Sequence, residues 1–373
     1  MKKILGVFLI LLQSCSSNSY SDLLEDTPNK SLNLKWNKAY QNDDIDKSVI
    51  GLKWALSYIG SKLPKNLKGI NIINSTISID INAIGLSENA IDKLNTLHQK
   101  IINSDEYQAN KNIDLGRYVS LLLGASNHYY EIIGTPKTLR QLLNKYSLKP
   151  EKGYVNNSAV SLEHRIIQFS EQKGLDQVFL SQEVDPITQE IYEYETIELL
   201  PNGQLRFGIF DVNGNRITSA DPEHSNAGKP AKCTWCHESS INPFFTPQLN
   251  FNGYLTAVQM QNKLLSFGVS HNNLKLNLVD GIDFSQTQQH TLTELLYISF
   301  MEPSAERLSL EWNLPLNQVQ NLLSGLPTHV YDEFPFLGNL YYRNEIENIA
   351  PFQGLAVSTN VREKSLVEVN HLD

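Results

Sequence analysis

The 373 residues predict a mainly helical α+β fold that carries a small antiparallel β insert. Three observations lead there. Apolar residues recur at helical spacing through most of the chain, whereas one segment, 190–217, alternates instead. A composition of 41% apolar and 9% aromatic residues supplies a core and excludes wholesale disorder. The mixture in Trp36–Leu63 suits one or two helices, with Trp54, Leu56 and Ile59 facing inward. Residues 70–81 change period, because Ile77, Ile79 and Ile81 alternate with polar residues as in a half-buried strand.

Helical spacing returns at Ser87–Ile102, through Ile91, Leu94, Leu97 (or His98) and Ile101. Leu115–Leu123, Thr138–Tyr146 and Leu162–Phe169 also read as helices. In the alternating segment, Ile191–Leu199 and Leu205–Phe210 flank the turn Pro201-Asn202-Gly203. Asn213-Gly214-Asn215 then turns again, which makes a meander. Residues 218–232 read as loop. Helices follow at Tyr254–Phe267, Thr291–Phe300, Ser304–Trp312 and from Pro315 to about Gly325.

The N-terminus supplies Met1-Lys2-Lys3, then the apolar run Ile4–Leu12, then polar residues from Gln13. A run of that length suits an export signal and falls short of the roughly 20 residues a bilayer span takes. Leu12-Gln13-Ser14-Cys15 resembles the lipobox of bacterial lipoproteins, over residues 1–18 only. The resemblance implies cleavage before Cys15, a lipid on that cysteine, and, with Ser16 following it, a destination at the outer membrane. The net charge of −9 argues against broad nucleic-acid binding, which needs a basic face.

Cys15, Cys233 and Cys236 are the three cysteines, too few for a disulfide framework. Lys232-Cys233-Thr234-Trp235-Cys236-His237 contains Cys-x-x-Cys-His, the c-type haem attachment signature. Thiols three positions apart reach the two vinyl groups on one porphyrin edge, and the next residue reaches the iron. The five residues resemble those of c-type cytochromes, which implies one covalent haem c, thioethers at Cys233 and Cys236, and His237 as proximal ligand. A thioredoxin-like pair would follow a strand in a βαβ unit, whereas a Pro/Gly loop precedes this one. A structural zinc site would need two further ligands, for which only His224 is near. A plain disulfide would strain to close so small a loop.

The distal ligand is open. Met301 ends a helix before Glu302-Pro303, at a distance beyond His237 similar to that of the distal Met in small c-type cytochromes. Met260 lies on an apolar helical stripe with Leu264 and Phe267 and reads as core. His224, in the loop before the motif, is the alternative, followed by His271, His290, His329 or an open iron. Trp235, Phe244 and Phe245 are candidates to pack on the porphyrin, and Lys229, Lys232 and Arg206 to neutralise its propionates. Asp114-Leu115-Gly116-Arg117 and His128-Tyr129-Tyr130 look specific but are explained by a helix face. Asn242-Pro243 replaces the Gly-Pro that small c-type cytochromes carry after the haem histidine.

The expected organisation is a signal at 1–14, a lipid-anchored tether at 15–33, a helix-rich domain at 34–189, and a meander with the haem-bearing helical part at 190–373. The expected function is one-electron transfer by an exported, membrane-anchored monohaem protein, with a redox protein or small molecule as partner. Two alternatives remain: a haem enzyme with an open iron position, and a non-haem surface-binding lipoprotein in which Cys233–Cys236 is structural.

Overall fold

β1 (Leu32–Lys35) begins a four-stranded sheet, and α1 (Ile45–Tyr58) follows it, capped by Asp44, whose side chain accepts from Lys47 N at 2.9 Å. β2 (Ile70–Ile73) and β3 (Thr76–Ile79) pair as a hairpin around Asn74, which has φ of 56°. Residues 70–81, expected as one strand, are therefore two. α2 (Glu88–Ile102) is capped by Ser87 and α3 (Asp105–Asn110) by Ser104. β4 (Ile113–Asp114) lies parallel to β1 and completes the order β2-β3-β1-β4. The computed structural model describes residues 31–373 except 67, 244, 247, 279–280 and 286–288, and these residues form one compact unit. The expected signal, Cys15 and the tether up to residue 30 lie outside the described residues. Among the described residues, no helix is long and apolar enough to cross a membrane.

α4 (Leu115–Val119) runs into a π-helical turn at Ser120–Gly124, and α5 (Ser126–Ile133) and α6 (Leu139–Leu143) follow. α7 (Pro230–His237), α8 (Ala257–Lys275), α9 (Gln289–Met301), α10 (Ala305–Trp312), α11 (Leu316–Leu322) and the short α12 (Arg343–Ile346) lie beyond the second sheet. The largest apolar core joins α1, α2, α4, α5 and α9 to the first sheet. Two glycines let α9 sit close. A Cβ on Gly51 would lie 2.7 Å from Leu292 C, and one on Gly116 would lie 2.5 Å from Phe300 Cβ.

A buried ionic network crosses this core. Arg307 meets Asp114 at 2.8 Å and also pairs with Glu311, whose other oxygen lies 2.7 Å from Arg343. Arg117 meets Glu106 and Glu347, each at 2.8 Å. The Arg343 guanidinium stands 4.0 Å from the centre of the Phe300 ring. Burial pushes the Glu311 carboxyl up, but Arg343 and Arg307 together hold it at about 2. Asp114 also caps α4, accepting from Arg117 N at 3.0 Å, and accepts from Asn37 Nδ2 at 2.7 Å. The motif Asp114–Arg117 thus holds the fold. So do Tyr129 and Tyr130, whose hydroxyls reach Phe207 N and Ile217 O.

The second sheet overturns the expected fold class. β5 (Lys152–Val155), β6 (His164–Phe169), β7 (Val178–Val184), β8 (Ile191–Leu199) and β9 (Leu205–Asp211) form one antiparallel meander in sequence order. The protein is α+β with a large antiparallel sheet, not a mainly helical chain with a small insert. The segment 162–169, expected as a helix, contains β6. Its burial repeats every third residue, at Ile166 and Phe169, because neighbouring strands and both covering layers contact it. The expected division at 189/190 falls in the turn between the paired strands β7 and β8. α6 and residues 143–148 cover one face, and α7 and α8 cover the other.

Truncating Asp114 to alanine leaves Arg307 buried beside a lost charge and removes a helix cap. Loss of one partner of a buried pair costs about 3–5 kcal/mol. Urea unfolding of the Asp114→Ala variant should therefore show a lower midpoint, with the slope unchanged.

Candidate functional site

The face of the second sheet under α7 is built in two halves. Phe169, Phe179, Ile197 and Phe207 stand in register across four strands and form an apolar row. Four residues along, Arg165, Glu183 and Glu193 stand in register on the same face. Arg165 pairs with Glu183 and lies 3.1 Å from Glu195. Ser161 also donates to Glu183, and Asp221 N donates to Glu193 at 2.9 Å. Burial lifts both Glu183 and Glu193, the latter to about 7, with Glu195 adding to each.

α7 lies over the boundary between these halves. Pro230 at its first turn suits a helix start. Positions 233, 236 and 237 are spaced i, i+3 and i+4, so Cys233, Cys236 and His237 share one helical face. Cys233 and Cys236 are not joined by a disulfide, and both are half-buried. Cys233 packs against the apolar row and donates to Lys229 O at 3.6 Å. Burial pushes its thiol well up, with Glu195 and Cys236 adding and Arg165 opposing. Burial also raises Cys236, against the pull of Lys232 and Arg362.

His237 closes the helix. The chain then turns sharply at Glu238, with φ of 53°, and brings Ser240 O to 3.4 Å from His237 Nδ1. A proton on Nδ1 directed at that carbonyl leaves the lone pair on Nε2. Burial lowers the imidazole to about 4, so it is neutral at neutral pH, the state a metal ligand needs. The Phe207 ring lies 5.6 Å away, centre to centre. Lys275, buried on α8, donates to Ser239 O and lies 3.2 Å from Ser239 Oγ, which steadies the turn beneath His237. Two thiols and an imidazole on one helix face fit, as donor types, the set that a covalent haem takes.

Other sequence candidates stand elsewhere. Met301 packs against the helical core and lines two adjoining clefts of about 270 and 530 Å³, whereas Cys233 belongs to the second sheet's core. Met260 is buried in the same cluster as Cys233, lying on Gly153, where a Cβ would come within 2.7 Å of its sulfur. His224 stacks on Tyr192 at 3.7 Å and turns Nδ1 to Glu163 at 3.5 Å. His329 pairs with Glu302 at 2.6 Å, His290 lies 3.4 Å from Glu238, and His271 meets Gly203 O at 2.8 Å. The Arg362 guanidinium covers the Trp235 ring at 4.6 Å. Lys229, Lys232 and Arg206 are paired with Glu368, Glu363 and Glu198. Phe244 lies outside the described residues. Among the described residues, no group of three or more His, Cys, Asp or Glu side chains is placed to hold a metal ion by itself.

The ionic row was not read from the sequence. Glu193 and Glu195 alternate with Tyr192, Tyr194 and Thr196, a pattern that resembles a solvated strand face. No protein family matches this chain, and no curated protein or solved structure does either.

The raised Glu193 carboxyl has a pH signature. The folded state keeps a proton that the unfolded chain releases near 4.5, so the stabilisation is complete below that pH and is lost as pH rises through about 7. Across this window Glu193→Gln should flatten the stability profile by roughly 3 kcal/mol at most, measured by urea unfolding at stepped pH.

Proposed function

We propose that the chain is an exported, lipid-anchored protein in which α7 carries one covalent c-type haem and passes single electrons. The observation that supports this reading is the shared face of Cys233, Cys236 and His237 on α7, together with the neutral state of His237. Cys233 and Cys236 would hold the group by thioethers, and His237 would ligate the iron through Nε2. When bound, the haem supplies a one-electron iron couple. The protein's own part is positional. Ser240 O orients the His237 ring, Lys275 braces the turn through Ser239, and the apolar row keeps water from the Cys233 side. The N-terminal resemblance to lipoproteins supports export, the compartment in which c-type haem is attached, with Cys15 as the anchor.

A haem enzyme with an open iron position is the second reading. It is favoured by the contacts that pack Met301 against the helical core and stack His224 on Tyr192. Expression in a host that matures c-type cytochromes should yield a chain that stains for haem after denaturing electrophoresis and gives a c-type pyridine haemochrome. Cys233→Ser with Cys236→Ser should abolish the stain. A wild-type chain without covalent haem would leave the non-haem surface-binding lipoprotein standing. Rapid cyanide binding to the oxidised, haem-loaded protein at rest selects the enzyme, and a spectrum indifferent to cyanide selects the carrier.

A further inference from the structure

α8 is apolar on two opposite sides. Its inner side, with Met260, Leu264 and Phe267, covers the apolar row of the second sheet. On its outer side Val258, Leu265, Val269 and Leu276 are 66%, 51%, 61% and 62% exposed. With Asn262 and Asn272, both exposed, they fall at steps of 4, 3, 4, 3 and 4 residues along the chain. At 3.6 residues per turn this is one straight stripe, the spacing of a coiled-coil seam, and about 27 Å long at 1.5 Å per residue. Unlike scattered surface leucines, a stripe with seam spacing has a geometry that another helix can match.

Two features identify the occupant. The stripe is symmetric about residue 267, so two copies laid antiparallel match Val258 with Leu276, Leu265 with Val269, and Asn262 with Asn272 of the second copy. Each amide then faces an amide, which can hydrogen-bond and sets the register, instead of being buried against an aliphatic side chain. The antiparallel arrangement also sets the two helix dipoles against each other. The second feature is charge. In a chain of net charge −9, residues 239–279 contain no Asp or Glu, so this helix is where two copies approach without the repulsion of the rest. Lys263 stands on the flank of α8 toward the sheet, over the Phe169 ring at 5.7 Å, and is paired with Glu151 at 2.9 Å.

We propose that α8 is a self-association surface that joins two copies of this chain through an antiparallel α8–α8 seam about a two-fold axis. The proposal does not depend on the haem reading.

Sedimentation velocity over a concentration series tests it on the full chain carrying Cys15→Ser, so that no acyl group drives association. The wild-type surface should give a dimer. Leu265→Glu, at an exposed position, should weaken association at least about tenfold while circular dichroism stays unchanged. Adding Val269→Lys to the same chain should restore the dimer, because Glu at 265 then faces Lys at 269 of the second copy, twice per dimer. In a parallel seam each position would face itself and the double variant would stay dissociated, which would overturn the proposal. So would a wild-type chain that remains monomeric, or one that instead floats with phosphatidylethanolamine–phosphatidylglycerol vesicles and loses that flotation in Leu265→Glu.

Discussion

The setting of Cys233 depends on one sheet face that is apolar along one row and ionic along another. Such a face needs a cover that can meet both. α7 meets the apolar row through Cys233, while Arg165 and Glu195 act on the same thiol from the ionic side. Since the opposite face of the sheet is also covered, by α6 and residues 143–148, no strand in the meander has a freely solvated side. Charged residues in its middle therefore have to satisfy one another. Arg165, Glu183, Glu193 and Glu195 bond with Ser161, Ser225 and Asp221 N, and burial raises the Glu183 and Glu193 carboxyls, with the surplus of carboxylates over guanidinium adding to it.

The helical half meets the same problem with a better balance of charge. Around Phe300, the guanidiniums of Arg117, Arg307 and Arg343 face Asp114, Glu106, Glu311 and Glu347. Buried ion pairs are costly to form and costlier to break, so they favour a single arrangement of helices over its near alternatives. The irregular C-terminal segment is tied into this arrangement. Arg117 reaches Leu355 O at 2.9 Å, and Lys229, at the start of α7, reaches Asn360 O at 2.9 Å and Glu368 at 2.7 Å. The helix that carries the proposed haem is thus held by the sheet below it and by the chain's last residues.

α8 links the two inferences physically. From one side it supplies Lys275, which braces the turn after His237, and Met260, which fills the core beside Cys233. From the other it presents an uncharged seam. A helix apolar on both sides has little preference for one face, and its orientation is set by which side finds the sheet.

By itself the sequence determined what local chemistry can determine. That Cys233, Cys236 and His237 share one face of α7 was legible because their spacing of three and four is a property of the chain. Ser87, Pro315 and the Asn-Gly turns were legible because caps and turns act within a few residues. The helices at 88–102, 289–301 and 305–312 followed from their own periodicity, whereas the helix expected at Tyr254–Phe267 starts at Ala257 and runs on to Lys275. What only the tertiary structure decided lies in contacts between distant segments. Whether 162–169 is helix or strand depends on β5 and β7 beside it, and the partner of the buried Glu193 carboxylate is Asp221 N, 28 residues later. That Asp114 meets Arg307, or that Met301 and Cys233 belong to different cores, is set by how layers stack. Periodicity reports which side of an element is apolar, and it cannot report what covers the other side.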